Sequence, residues 1–370
     1  MNGSPPKKKS ELNANLILLT SAILFSVISG ELFLRFILPS PVKKPLKPAG
    51  WAIVPERSWI EYDPDLGWRH KRNITSEFKR NSESIQLKLN SDGLRGEREY
   101  AASKPAGIFR VYALGDSFTF GFGVPEGESF PAQMEKMDSA LEVLNMGVAG
   151  YGVDQIFLAL KKWGTRFNPD LVLVTLYPED FWRATRAFTD AGYGKPYFIK
   201  TPDGLELNHH PVPADNIFSG PQFPSQNSGL KNVFEKSYLF RLLQKTWIKI
   251  LKTFNLSDPD STPEWRLGSA ILETTAAYAK DKNLKLIIAL APPARWISGT
   301  TEPLRESFSR FCKRNQIHCL DLTDRFKEAS AQGSVDMYYI PEDHHWTKEG
   351  NRLAAAFILK EIRQYMEAPE

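Results

Sequence analysis

Cysteine is scarce in this 370-residue chain: Cys312 and Cys319 are the whole complement. That excludes a disulfide-dense scaffold and every multi-cysteine metal site. For the pair itself, two small buried apolar side chains at the end of one helix and the start of the next strand are favoured over a bridge, because helix-to-strand geometry often exceeds bridging distance. An excess of one charge is missing too. The 47 Lys+Arg and 43 Asp+Glu leave a dispersed net charge of +4, too little to argue for nucleic acid as a partner. No internal repeat occurs, and the only low-complexity patch is a Pro/Lys-rich stretch near the start. Proline is plentiful at 26 residues, which implies long loops, and an apolar fraction of 42% suffices for one large domain or two smaller ones.

The chain begins with a tail, residues 1–13, carrying Lys7, Lys8 and Lys9 and little that could pack. From Leu16 to Gly30 no charge appears, and beyond Glu31 and Arg35 the apolar character resumes to Leu38. As a helix, this run would extend about 34 Å, enough for a bilayer core of about 30 Å. Residues 14–38 are therefore expected to be a transmembrane helix, with Glu31 and Arg35 one turn apart on one face near its outer end. A cleaved signal peptide ending near Ser29-Gly30 is the rival reading, disfavoured because the apolar run continues past that point. Lysines flank both ends, so orientation rests on size: a short tail inside, and the large carboxyl-terminal part outside the cytoplasm. Residues 39–50 form a Pro/Lys linker that should stay extended, and residues 51–106 a small β-rich lead-in with alternating runs such as Ile85-Gln-Leu-Lys-Leu-Asn. No chemistry attaches to the lead-in from its residues.

The remainder, residues 107–370, alternates strand and helix with short Gly- or Pro-marked turns. The expected fold is α/β, a parallel sheet with helices on both faces. An insertion over residues 190–260 interrupts the rhythm with a hairpin, then an amphipathic helix over Leu239–Leu251; it reads as a lid or substrate-shaping wall. The most informative stretch is Phe109–Gly123, FRVYALGDSFTFGFG. A buried strand runs into Gly115-Asp116-Ser117 and exposes Ser117 at its carboxyl end, where a nucleophile would sit. A serine needs a base, and the far end of the chain offers Glu342-Asp343-His344-His345-Trp346-Thr347, followed by Gly350.

Together with Asn145-Met-Gly-Val-Ala-Gly150 between them, this order of blocks resembles the GDSL-type, or SGNH, family of serine esterases and acyltransferases, over roughly residues 108–182 and 284–365. The resemblance implies a flavodoxin-like three-layer fold and a Ser-His-Asp mechanism needing no cofactor. It assigns Ser117 as nucleophile and His345, five residues before Gly350, as base. Asp343 is the preferred orienter, with Glu342 the alternative and His344 a packing or exposed residue. Adjacent histidines and carboxylates could hold a metal, but no further cluster completes a ligand set, so none is expected. Tyr177 and Trp346 are expected to shape the substrate site. Tyr62-Asp-Pro-Asp-Leu-Gly-Trp68 and Asn90-Ser-Asp-Gly-Leu-Arg95 in the lead-in look like the segment that precedes the Gly-Asp-Ser strand in envelope members of the family.

The backbone N–H groups of Ser117 and Gly150 match the family's oxyanion-hole positions. The third donor departs from the pattern: Tyr177-Pro178-Glu179-Asp180 places Glu179 where the family has asparagine. An ionised carboxylate donates nothing and repels a developing negative charge. Three resolutions follow: burial keeps Glu179 protonated, the Tyr177 hydroxyl substitutes, or the site only binds. Two functions follow in turn. One is a membrane-anchored, extracytoplasmic esterase or O-acyltransferase acting on acyl, chiefly acetyl, esters of an envelope glycan. The other is a catalytically impaired relative that holds glycan within an envelope assembly of several proteins; hydrolysis of a lipid ester or thioester is a further alternative.

Overall fold

The computed structural model describes residues 7–37, 59–80, 83–188, 194–214, 237, 246, 259–299, 303–341 and 343–366. The chain divides into two compact units, residues 1–47 with 220–258, and residues 48–219 with 259–370. In the first, one helix runs from Lys7 to Ile37. Its stretch Asn15–Leu34, of mean hydropathy 2.1, is long and apolar enough to cross a bilayer. Leu16, Phe25 and Phe33 on it are exposed. Glu31 accepts a hydrogen bond from Ser237 Oγ at 2.8 Å. The side chain of Arg35, the 39–50 linker and most of the helix expected over Leu239–Leu251 lie outside the described residues.

The second unit opens with two antiparallel hairpins, β1 (Ile60–Asp63) with β2 (Gly67–His70) and β3 (Ile74–Arg80) with β4 (Glu83–Leu89). In β4 the alternating sequence does what alternation should: Ile85, Leu87 and Leu89 are buried, Ser84 and Gln86 exposed. There follow β5 (Phe109–Gly115), β6 (Leu141–Asn145) and β7 (Leu171–Leu176). The expected hairpin in the insertion is β8 (Tyr197–Thr201) with β9 (Gly204–Asn208). β10 (Lys285–Leu290) and β11 (His318–Asp321) complete the set.

Five of these strands form one parallel sheet in the order β6-β5-β7-β10-β11. The chain steps from β5 outward to β6, then crosses back to β7 on the other side of β5. That reversal opens a crevice at the carboxyl ends of β5 and β7, the place where open α/β sheets bind ligands. Both faces are covered, as expected, because the strands are apolar on both sides. Tyr112, Leu114, Val172, Val174, Ile288 and Leu290 pack with the helices Val153–Trp163, Pro263–Asp281 and Pro303–Asn315. Val111, Ala113, Leu171, Leu173, Ile287 and Ala289 face the helices Phe130–Met137, Thr323–Ser330 and Lys348–Met366. The lead-in side chains Trp59, Leu66, Trp68 and Leu87 join the first of these layers.

The two cysteines correct the sequence reading: Cys312 and Cys319 are disulfide-bonded, their Cα atoms 6.0 Å apart. The helix Pro303–Asn315 ends in a tight reversal. Gln316 takes a left-handed conformation (φ 55°) and Ile317 N–H donates to the Cys312 carbonyl at 3.1 Å, which returns the chain beside the last helical turn.

Candidate active site

Ser117 follows β5 at the crevice. At Gly115 a Cβ would stand 2.1 Å from Thr119 Oγ1 and 2.6 Å from the Thr175 carbonyl, so only glycine lets the end of β5 lie this close to β7. Asp116 then caps the four-residue helix Ser117–Phe120, its Oδ1 accepting from Phe118 N–H at 2.9 Å. The hydroxyl of Ser117 is left facing the loop after the short 3₁₀ turn Val335–Met337, where His345 stands.

The Ser117 Oγ to His345 Nε2 distance is 2.8 Å, across 228 positions of sequence. His345 Nδ1 is hydrogen-bonded to Asp343 Oδ1, which lies 3.4 Å from the His345 backbone N–H as well. The structure thus aligns Ser117, His345 and Asp343 in one hydrogen-bonded row; Glu342 lies outside the described residues. Asp116 Oδ2, 3.3 Å from Ser117 Oγ, is a second acceptor for the serine proton, at longer range than the imidazole. The imidazole is set between Phe118 and Phe122, with ring centroids 5.1 and 5.0 Å away. Behind Phe118 stand Tyr177, stacked at 4.3 Å, and Trp346, edge-on at 5.0 Å.

Trp346 does not line the site as the sequence suggested. It is 1% exposed, packed among Phe118, Phe130 and Phe326, and reaches the opening only through Phe118. Trp346 is turned inward and His344 outward although they stand two residues apart, so the segment does not follow strand alternation. His344, at φ 68°, joins Tyr177, Glu179, Arg295, Ser298 and Tyr339 around a cavity of about 600 Å³. That volume suits a small ligand moiety. Burial holds the Tyr177 hydroxyl above its ordinary pKa, with the Glu179 carboxylate adding to the effect, so it remains a donor.

The Gly-rich loop after β6 carries Gly150 at φ 85°. Val148 N–H donates to the Gly115 carbonyl at 3.1 Å and Asn145 Oδ1 accepts from Gly147 N–H at 3.1 Å, which ties the loop to the end of β5. Among the described residues neither Ser117 N–H nor Gly150 N–H is engaged, so both are available as donors. Glu179 is partly enclosed: 38% of its side chain is exposed and its Oε1 lies 3.5 Å from Arg295 Nη1, while its Oε2 is buried without a hydrogen-bond partner among the described residues. What offsets its charge is the neighbouring guanidinium.

Arg183 was not apparent from the sequence. Its Nη1 lies 3.0 Å from Asp116 Oδ2, 3.2 Å from the Tyr151 carbonyl and 2.6 Å from Asp180 Oδ1. One guanidinium nitrogen thus ties the helix after β7 to the segments that follow β5 and β6. Asp180 is fully buried; burial and the adjacent Asp116 push it well above the usual carboxylate range. Its Oδ2 accepts from Tyr177 N–H at 2.8 Å and fixes the start of the helix Pro178–Ala184. Only the sequence context Glu-Asp-Phe-Trp-Arg, an acid and a base one helical turn apart, hinted at the pair.

Fold and site together define a class: a three-layer α/β protein with a serine, histidine and aspartate in hydrogen-bonded series at the carboxyl edge of its sheet. No family model matches the sequence, and no curated protein does. Solved structures do. One is a member of the lipolytic protein G-D-S-L family from Veillonella parvula DSM 2008, with 15% identity over 68% of this chain and 97% of that one, at a TM-score of 0.38. Another, the acetyl xylan esterase AlAXEase, shows 14% identity over 69% and 100%, at 0.41. An acetyl xylan esterase variant from Geobacillus stearothermophilus gives 15% over 69% and 96%, at 0.40. Likeness at this level leaves the chemistry to be read from the site.

Proposed function

We propose that this protein is an SGNH-type serine esterase or O-acyltransferase, and the observation that carries the reading is the 2.8 Å contact between Ser117 Oγ and His345 Nε2. His345 takes the serine proton as the oxygen attacks an ester carbonyl, and Asp343 holds the imidazole with Nε2 free to accept and stabilises its cationic form. The oxyanion lies against Ser117 N–H and Gly150 N–H. Collapse expels the alcohol, protonated by His345, and leaves an acyl-serine. Water or a second hydroxyl, deprotonated by the same imidazole, then takes the acyl group.

The substrate class is an acylated carbohydrate, with acetyl as the acyl group. Supporting this, the cavity that Tyr177 and His344 line has Glu179, Arg295 and Ser298 to exchange hydrogen bonds with hydroxyls, and Pro293, Ala294 and Ile340 to meet the apolar face of a sugar ring or an acetyl methyl. A long acyl chain would want an apolar trough instead. The helix Lys7–Ile37 anchors the protein in a membrane, and the site faces the extracytoplasmic side, where an envelope glycan is the polymer at hand. The Cys312–Cys319 disulfide supports that side, since such bonds persist in oxidising compartments. Labelling of the full-length protein by a fluorophosphonate, abolished in Ser117→Ala, tests the reading; absence of labelling at high protein concentration would sink it.

A second reading is favoured by Glu179 alone: a relative that binds glycan without turning it over, as part of an envelope assembly. Glycan binding that survives Ser117→Ala in a protein without esterase activity would support it.

A further inference from the structure

The lead-in, which carries no chemistry in its sequence, reaches the Gly-rich loop through Trp68. Trp68, on β2, is 2% exposed, and its indole Nε1–H donates to the Ala149 carbonyl at 3.3 Å. That carbonyl and the N–H of Gly150 belong to the same peptide unit, which is planar and trans, so the two groups point in opposite directions. A donor that fixes the oxygen on one side fixes the direction of the N–H on the other. We propose that Trp68 is a positioning residue for acyl transfer: its indole N–H sets the Ala149–Gly150 peptide so that Gly150 N–H faces the oxyanion. This rests on the assignment of Ser117 and Gly150 made above.

The loop needs such a hold. It contains Gly147, Gly150 and Gly152 within six residues, and Gly150 sits at φ 85°, where glycine moves freely. A Cβ on Gly150 would have Trp68 Cζ2 as its one near neighbour, at 3.6 Å. Trp68 is itself gripped from the same loop, for Tyr151 Oη donates to the Trp68 carbonyl at 2.6 Å and the two rings meet edge-on at 5.3 Å. Next along the chain, Gln155 Nε2 donates to the Leu66 carbonyl at 2.7 Å, and Lys162 Nζ reaches Asp63 Oδ2 at 2.6 Å. The β1–β2 hairpin is thereby fastened to the helix Val153–Trp163 on the far side of the loop, leaving the peptide little room to rotate. Accepting the indole proton also polarises the amide and makes its N–H a better donor.

The test uses the full-length protein and p-nitrophenyl acetate, with Trp68→Phe and with 3-benzothienylalanine at position 68, an isostere that keeps the shape of the indole and lacks its N–H. One neutral hydrogen bond corresponds to about a two- to tenfold effect. Both variants should lower kcat by about that factor, with KM and the pH dependence of kcat unchanged, because neither substrate binding nor the imidazole is altered. An unchanged kcat in the isostere, while Ser117→Ala is inactive, would overturn the proposal and leave the assignment of Ser117 standing. So would a loss carried by KM, or one accompanied by a matching fall in melting temperature in the isostere, since those mark packing rather than aim. Turnover persisting in Ser117→Ala would overturn both.

Discussion

Replacing Glu179 with asparagine tests whether the departure at the third oxyanion position limits the chemistry. The backbone there is held independently of this side chain, by Asp180 on Tyr177 N–H at 2.8 Å and by Arg183 on Asp180 at 2.6 Å, so the exchange alters a side chain and not the loop. A missing oxyanion donor costs about 2.7–4 kcal/mol, or 10²–10³ in kcat, which is the ceiling on what Glu179→Asn can gain. Two features lower that ceiling. Asparagine is one methylene shorter than glutamate, and Arg295, 3.5 Å from the carboxylate, already offsets part of the repulsion. With side chains 38% and 48% exposed, that pair contributes only about 1 kcal/mol under water-like screening. The gain must therefore come mainly from the new donor. We expect kcat on p-nitrophenyl acetate to rise about 10- to 100-fold, within that ceiling, with KM little changed. Arg295→Met in the parent protein is the complement and should lower kcat several-fold by leaving the carboxylate uncompensated. An unchanged or lower rate in Glu179→Asn would refute the missing-donor account; a higher KM for acetylated glycans alone would place Glu179 in recognition of the alcohol.

Asp343→Asn should lower kcat by about 10⁴ with the fold intact, by presenting the wrong tautomer of His345 to Ser117; single-turnover acylation rates measure it. His70 is buried and its pKa is held down to about 4 by desolvation, against 6.5 for an exposed imidazole. The unfolded chain thus binds a proton that the native chain refuses, so stability is full above pH 6.5 and falls by about 3 kcal/mol as pH drops toward 4. Denaturant unfolding across that range should show the slope, and His70→Gln should flatten it. Lys195 and Asp154 form a fully buried ion pair that joins the start of the insertion to the helix after the Gly-rich loop. Lys195→Met should cost about 3–5 kcal/mol by stranding the carboxylate, and adding Asp154→Leu should recover most of it, as read from melting curves.

The motif spacing in the sequence located Ser117, His345 and Asp343 because each is fixed by its neighbours along the chain: a strand before the serine, a glycine after the histidine. The five sheet strands were legible for the same reason, as short apolar runs closed by turns. The roles of Arg183 and Trp68 were not, because the contacts that define them, Arg183 to Asp116 and Tyr151 and Trp68 to Ala149, are made to residues far off in the chain. The disulfide was missed since it depends on one left-handed residue, Gln316, which no periodicity marks. Trp346 was misplaced for a simpler cause: beside two histidines, an aromatic looks like part of a binding wall, and only packing shows which way it turns.

Asp343 and His345 ride on one loop, two residues apart, with Asp343 Oδ1 touching both ring and backbone of His345. Base and orienter therefore travel as a single piece, and the only joint in the row is between that piece and the serine. A shift of the loop would leave the imidazole correctly tuned and merely out of reach. Such a molecule would be switched off without being damaged, and the return of one contact would switch it on again.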